Sequence, residues 1–135
     1  MPMQAPIQTP IQISDAESTV MDVLWQRSPL AAEEVVAALA ERQDWQEATI
    51  KTLLNRLLNK GAIEAVKEGR RYSYTPILRR EDWVLEESEG LLSRLFDGRV
   101  APLVAHFSQH QKLSDADIAE LRQLLEEIDD DRKPK

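Results

Sequence analysis

The segment ATIKTLLNRLLNKG, residues 48–61, separates polar from apolar side chains at helical spacing. At about 100° per residue, its leucines and isoleucine fall on one side of a helix, and its threonines, asparagines and cations on the other. This segment holds no acid, although the whole chain has 24 acids and 17 bases. Lysine and arginine can bind guanine or phosphate, asparagine can pair with adenine, and threonine can contact a thymine methyl group. The residues expected to contact DNA from this helix are Thr49, Lys51, Thr52, Asn55, Arg56 and Lys60.

Charge is distributed unevenly along the 135 residues. The formal net charge of −7 and the pI near 4.9, taken alone, argue against a nucleic-acid partner. Residues 49–80, however, hold eight bases and two acids, whereas the segments before and after them are both acidic. A basic segment between two acidic ones is typical of a surface that binds a polyanion.

Composition excludes several other classes of protein. The chain has no cysteine, so it can form neither a disulfide nor a thiolate metal site. No window approaches the roughly 18 apolar residues of a membrane span, and membrane insertion is not expected. Residues 1–12 lack the pattern of a secretory signal and predict a flexible leader, residues 131–135 predict a frayed tail, and the expected location is the cytoplasm.

Helix signals lie on the N-terminal side of the basic segment. Ser14 can cap the N–H of Glu17 while the Glu17 side chain reaches back to the N–H of Ser14, which predicts a helix start. Apolar residues recur at helical spacing up to Trp25. A second helix is predicted over residues 32–42, and Gly61 ends the third.

The periodicity changes from helical to alternating after the third helix. Residues 63–67 and 71–75 predict two short strands joined by a Glu-Gly-Arg turn. Three helices followed by a two-stranded hairpin predict a mainly α fold, a winged helix-turn-helix DNA-binding domain over residues 13–78. In this fold the third helix enters the major groove and the hairpin tip lies along the backbone. The hairpin residues expected to contact DNA are Arg70, Arg71 and Tyr72.

Residues 79–130 predict a helical dimerisation domain. Helices are predicted over residues 81–96 and 101–109, and Ser114 with Asp117 forms a capping box at the start of another. Three such helices make a poor independent core, so their apolar stripes need a second surface. Two-fold homodimers are the commonest oligomers, which favours a second copy over helices folded back on the winged domain. The residues expected in the dimer contact are Leu91, Leu92, Leu95, Leu103, Val104, Leu121, Leu124, Leu125 and Ile128.

Four stretches within residues 13–128 resemble the penicillinase repressors of the BlaI/MecI/CopY type. They are ISDAESTVMDVLW, DWQEATIKTLLNRLLNKGAI, EGRRYSYTP and PLVAHFSQHQKLSDADIAELRQLLEE. The resemblance implies a dimeric repressor that sits on a palindromic operator with TACA/TGTA half-site cores. The operators of that family lie ahead of genes for β-lactam resistance, copper handling or other stress responses.

The chain departs from that family's pattern at two places. Gln46-Glu47-Ala48 replaces Ser-Pro-Lys, which removes an N-cap and a cation, so we expect weaker phosphate affinity or a shifted operator preference. The β-lactam-responsive members are cleaved between Asn and Phe. The matching pair here is His106-Phe107, which has the phenylalanine but a histidine in place of the asparagine. The resemblance implies cleavage at this pair and a membrane sensor protease system as a partner, whereas the absence of cysteine excludes thiolate copper sensing.

Two rival functions come from other classes. The first is an enzyme with a metal at His106 and His110, which lie four residues apart, a spacing that can hold a metal on a helix. Two histidines alone seldom suffice, and a surface pair is expected. The acids Glu86, Glu87 and Glu89 have no partnered nucleophile or histidine near them in sequence and are expected on a solvated helix face, so no catalytic residue, metal or cofactor is predicted. The second rival is a winged-helix module that binds an acidic protein through its basic face.

Overall fold

The computed structural model describes residues 11–132, and the predicted leader therefore lies almost entirely outside the described residues. The chain divides into two compact units, one ending at Glu87 and the other beginning at Ser88. The elements, in chain order, are α1 Asp15–Gln26, β1 Leu30–Ala31, α2 Ala32–Ala40, α3 Glu47–Lys60, β2 Ile63–Glu68, β3 Arg71–Pro76, α4 Arg80–Phe96, α5 Val100–Gln109 and α6 Asp115–Arg132.

The ends of the first and third helices follow the local signals in the sequence. Ser14 Oγ accepts from the N–H of Glu17 at 3.1 Å, and Glu17 Oε1 accepts from the N–H of Ser14 at 2.8 Å, which confirms the predicted capping box. Gly61 ends α3 with φ of +80°, a conformation that glycine adopts without a Cβ penalty. Helix α2 stops at Ala40, two residues earlier than predicted, because the N–H groups of Arg42 and Gln43 both turn back to the Leu39 carbonyl.

The predicted two-stranded hairpin is part of a three-stranded antiparallel sheet of order β1-β3-β2. The prediction missed β1, which pairs Leu30 with Tyr74 and Ala31 with Ser73. Two residues are too few to show an alternating pattern, and only pairing with a distant strand reveals them. This short strand ties the hairpin to the start of α2, which follows it directly.

The core lies entirely in the first unit, where the apolar stripes of α1, α2 and α3 meet. Its fully buried side chains include Met21, Leu24 and Leu39. The first turns of α4 join this unit, because Trp83 packs on Trp25 with ring centroids 5.4 Å apart. The division of the chain falls after Glu87, within α4, whereas the predicted boundary lies after residue 78.

The second unit contains the rest of α4 together with α5 and α6. The Ser114–Asp117 capping box forms as predicted, with the N–H of Asp117 donating to Ser114 Oγ at 3.0 Å. Helix α6 continues to Arg132, so residues 131 and 132 are helical where a frayed tail was expected. None of the described residues from 88 to 132 is buried. No helix in the described part of the chain is long and apolar enough to cross a membrane.

Candidate nucleic-acid interface

Helix α3 presents the predicted polar residues to solvent because its other side is fixed in the core. Ile50, Leu54 and Leu57 are at most 1% exposed. The polar side chains between them therefore cannot turn inward without unpacking the three-helix core. All six residues predicted to contact DNA from this helix are exposed: Thr49, Lys51, Thr52, Asn55, Arg56 and Lys60.

The first turns of α3 carry the departure from the family's Ser-Pro-Lys. Gln46 is the N-cap residue and makes no side-chain capping bond. Glu47 lies in the first turn, where a negative charge suits the helix dipole, and forms a 3.2 Å ion pair with Lys51. Both side chains are more than half exposed, so the pair is weak and phosphate can displace it.

The hairpin of β2 and β3, here called the wing, turns through the two residues Gly69 and Arg70. Gly69 has φ of +64°, the left-handed region required of the first residue in a II′ turn. Lys67 and Tyr72 are cross-strand partners, and the Lys67 ammonium lies 6.0 Å from the Tyr72 ring centroid. Lys67 is an exposed cation beside a predicted DNA contact. Lys67 was not among the predicted DNA contacts, although pairing of the two predicted strands could have placed it beside Tyr72.

Arg71, predicted to contact phosphate from the wing, is held by acids of α2. Its Nη2 lies 2.7 Å from Glu33 Oε1 and 3.8 Å from Glu34 Oε1. Arg56 and Arg70, in contrast, form no ion pair within the described residues 11–132. The cations of this surface thus fall into two groups: those paired with an acid of the same chain and those without an ion pair.

Lys60 lies at the edge of the surface and bonds a buried carboxylate. Its Nζ is 2.5 Å from Oε1 of Glu17, which is 1% exposed, whereas the Lys60 side chain is 39% exposed. Burial raises the pKa of the Glu17 carboxyl, but the hydrogen bonds from Lys60 and Ser14 and the charge of Lys60 outweigh burial, and the pKa lies below its ordinary value. The prediction for Lys60 did not include this bond, because nothing in the local sequence marks Glu17 as buried.

The apolar residues predicted for dimerisation line the surface of the second unit. Leu95 is 66% exposed, Leu125 61% and Leu124 52%, and Leu103, Val104 and Leu121 are half-buried along a groove between α5 and α6. The His106 ring is tilted against two neighbouring rings, with centroid distances of 5.9 Å to Phe96 and 4.7 Å to His110. No group of three metal-ligating side chains occurs among the residues that the structure describes.

Three helices, the third with a cationic exposed face, followed by a wing define a winged-helix DNA-binding protein. The family model described as penicillinase repressor matches residues 13–127. A penicillinase repressor of Bacillus licheniformis is 40% identical over 86% of this chain and 91% of its own length. One from Staphylococcus aureus is 30% identical over 87% of this chain and 94% of its own. The solution structure of the DNA-binding domain of the repressor BlaI matches with a TM-score of 0.51 and 42% identity, covering 56% of this chain and 93% of that one.

The chain belongs to the penicillinase repressor family. It is therefore a DNA-binding repressor and not an enzyme, as its sequence predicted.

Proposed function

We propose that this protein is a homodimeric transcriptional repressor that binds a palindromic operator of the TACA/TGTA type and covers the promoter of resistance or stress genes. The observation that carries the proposal is the exposed face of α3, where Lys51, Asn55 and Arg56 stand on a row of buried leucines. Side chains fixed in this way by a rigid core can read base edges with little loss of conformational entropy. The wing adds Arg70, Arg71 and Tyr72 for the phosphate backbone.

The proposed partner copy covers the apolar stripe of the second unit. Ile118, Leu124, Leu125 and Ile128 recur at helical spacing on α6, and each is at least 37% exposed. Soluble proteins rarely leave so continuous an apolar surface uncovered unless it binds a partner. A two-fold dimer would offer two copies of α3 to two half-sites, which matches a palindromic operator.

Release from DNA would follow cleavage near His106-Phe107 by a membrane sensor protease system. The pair lies inside α5, and Phe107 is 42% exposed. A protease needs an extended substrate, so this helix must unwind locally, and a helix without a buried side chain opens at little cost. Loss of the dimer would then remove the contribution of the second half-site.

The DNA-binding assignment is tested by Lys51→Ala combined with Arg56→Ala. A duplex carrying a TACA/TGTA inverted repeat and a scrambled duplex of equal composition serve as probes in fluorescence anisotropy. The double variant should lose operator binding and keep the dimer. The matched control, Arg99→Ala with Lys112→Ala, removes two exposed charges from the second unit and should bind as the parent does.

Operator binding by the α3 double variant equal to that of the parent would reject this face as the reading surface. Equal and weak binding of the parent to both duplexes would instead favour the winged-helix module that meets an acidic protein.

The dimer is tested by Leu124→Glu in sedimentation equilibrium. A charge placed in a dry interface should raise the dimer dissociation constant about 100-fold, equivalent to about 2.8 kcal/mol. Gln123→Glu adds the same charge on the opposite side of α6 and should leave the dimer unchanged. A Leu124→Glu protein that dimerises as the parent does would show that the α6 stripe is not the contact.

A further inference from the structure

The wing and the start of α2 are brought together by the register of the sheet. Strand β1 pairs Leu30 with Tyr74 and Ala31 with Ser73, so each step forward from β1 moves one step back along β3. Helix α2 begins at Ala32, directly after β1, and this brings Glu33 in its first turn to the end of β3 that carries Arg71. The 2.7 Å ion pair between them is therefore a consequence of topology.

Glu34 contributes differently from Glu33, although the two are neighbours. Its Oε1 accepts from the N–H of Ala31 at 3.0 Å and so caps the start of α2, while it stays 3.8 Å from Arg71 Nη2. Glu33 has no such backbone bond among the described residues, and its contact is the shorter of the two. Glu33 is thus the acid whose removal tests the pair without disturbing the helix start.

We propose that Glu33 is an internal competitor for the phosphate contact of wing Arg71 and thereby lowers the affinity of the repressor for every duplex alike. The inference rests on the proposed DNA-binding function of the wing. The Glu33 carboxylate occupies Nη2 of the Arg71 guanidinium and repels phosphate, so this contact must be given up before Nη2 can bind a phosphate oxygen. Operator recognition then depends more on the base contacts of α3 than on the backbone contacts of the wing.

The exposure of the pair limits the size of the effect. The side chain of Arg71 is 60% exposed and that of Glu33 65%, so water and salt screen their attraction. Exposed ion pairs of this kind shift an equilibrium by no more than about five-fold. This is enough to change occupancy of non-specific DNA and too little to prevent DNA from displacing the acid.

The direction in which Glu33→Gln changes the affinity for DNA distinguishes a competing acid from one that supports binding. A pair that held the wing in its binding conformation would strengthen DNA binding, and Glu33→Gln would then weaken it. A competing acid predicts the reverse, because Arg71 loses its shorter carboxylate contact and one carboxylate fewer is left to recover a counterion when DNA binds. Glu34 stays 3.8 Å from Arg71 Nη2 in this variant, so the affinity should rise and its dependence on salt should steepen by less than about one unit of slope.

The experiment compares Glu33→Gln with the parent on the inverted-repeat duplex and the scrambled duplex, by fluorescence anisotropy at several salt concentrations. Glu33→Gln should bind both duplexes about two- to five-fold more tightly at low salt, and the gain should fade as salt rises. Glu41→Gln is the matched control, because it removes the same charge from an exposed residue just after α2 that has no ion-pair partner within the described residues. It should bind nearly as the parent does.

A second pair of variants assigns the effect to Arg71. In an Arg71→Ala background, Glu33→Gln should have no further effect on either duplex. A gain that persists without Arg71, an equal gain for Glu41→Gln, or weaker binding by Glu33→Gln would each overturn the proposal. Failure of the parent itself to bind either duplex would instead reject the proposed function, and the two failures are therefore distinguishable.

Discussion

The leucines of α3 and α6 recur at the same helical spacing, and their burial differs sharply. Leu53, Leu54 and Leu57 of α3 are at most 4% exposed, whereas Leu124 and Leu125 of α6 are 52% and 61% exposed. In the first unit, α1 and α2 supply the facing surfaces; in the second unit no described residue is buried. The comparison shows that an apolar stripe reports a need for a partner surface and does not say whether the same chain supplies it.

Truncation of one leucine in α3 and one in α6 should give the largest difference in stability between the two helices. Leu57→Ala should lower the free energy of unfolding by about 2–5 kcal/mol, because it empties a fully buried site. Leu125→Ala, studied at concentrations where the protein is monomeric, should change it by less than about 0.5 kcal/mol. Urea unfolding of both variants measures the difference, and a large loss for Leu125→Ala would show that α6 packs within its own chain.

An intermediate effect on stability is expected at the bond from Lys60 to Glu17, which joins an exposed side chain to a buried one. Lys60→Met should lower the free energy of unfolding by about 1–3 kcal/mol, since it leaves the carboxylate of Glu17 buried without its cation. Lys67→Met, on the exposed wing, is the control and should change stability little. If Lys60→Met were as stable as the parent, the bond to Glu17 would not contribute to the fold.

The smallest expected effect is a pH dependence of the same bond. The pKa of Glu17 is lower in the folded protein than its ordinary value, so the unfolded chain binds its proton more readily. The stabilisation is complete above the unfolded pKa of about 4.3 and is lost as the pH falls through the lowered folded pKa. Urea midpoints should therefore show the gap between the parent and Glu17→Gln closing on acidification. A gap that stays constant from neutral pH to about pH 3 would contradict the assignment.

Local signals predicted much of this fold. The Ser14 box and Gly61 placed helix ends, and alternating residues placed the wing, because each depends on neighbours within a few positions. Strand β1 was missed, since two residues carry no period of their own. The ion pair of Arg71 with Glu33 was missed for a related reason: it joins residues 38 positions apart, whose proximity follows from strand pairing.

Periodicity and local motifs are enough to predict the order of helices and wing, the polar face of α3 and the family to which the chain belongs. Packing settles which cations of α3 and the wing are left without an acid partner. It pairs Lys51, Lys60 and Arg71 with acids and leaves Arg56, Lys67 and Arg70 without an ion pair in the described part of the chain. The charge of each residue follows from its type. Whether an opposite charge offsets it depends on the distance between the two groups, which packing sets.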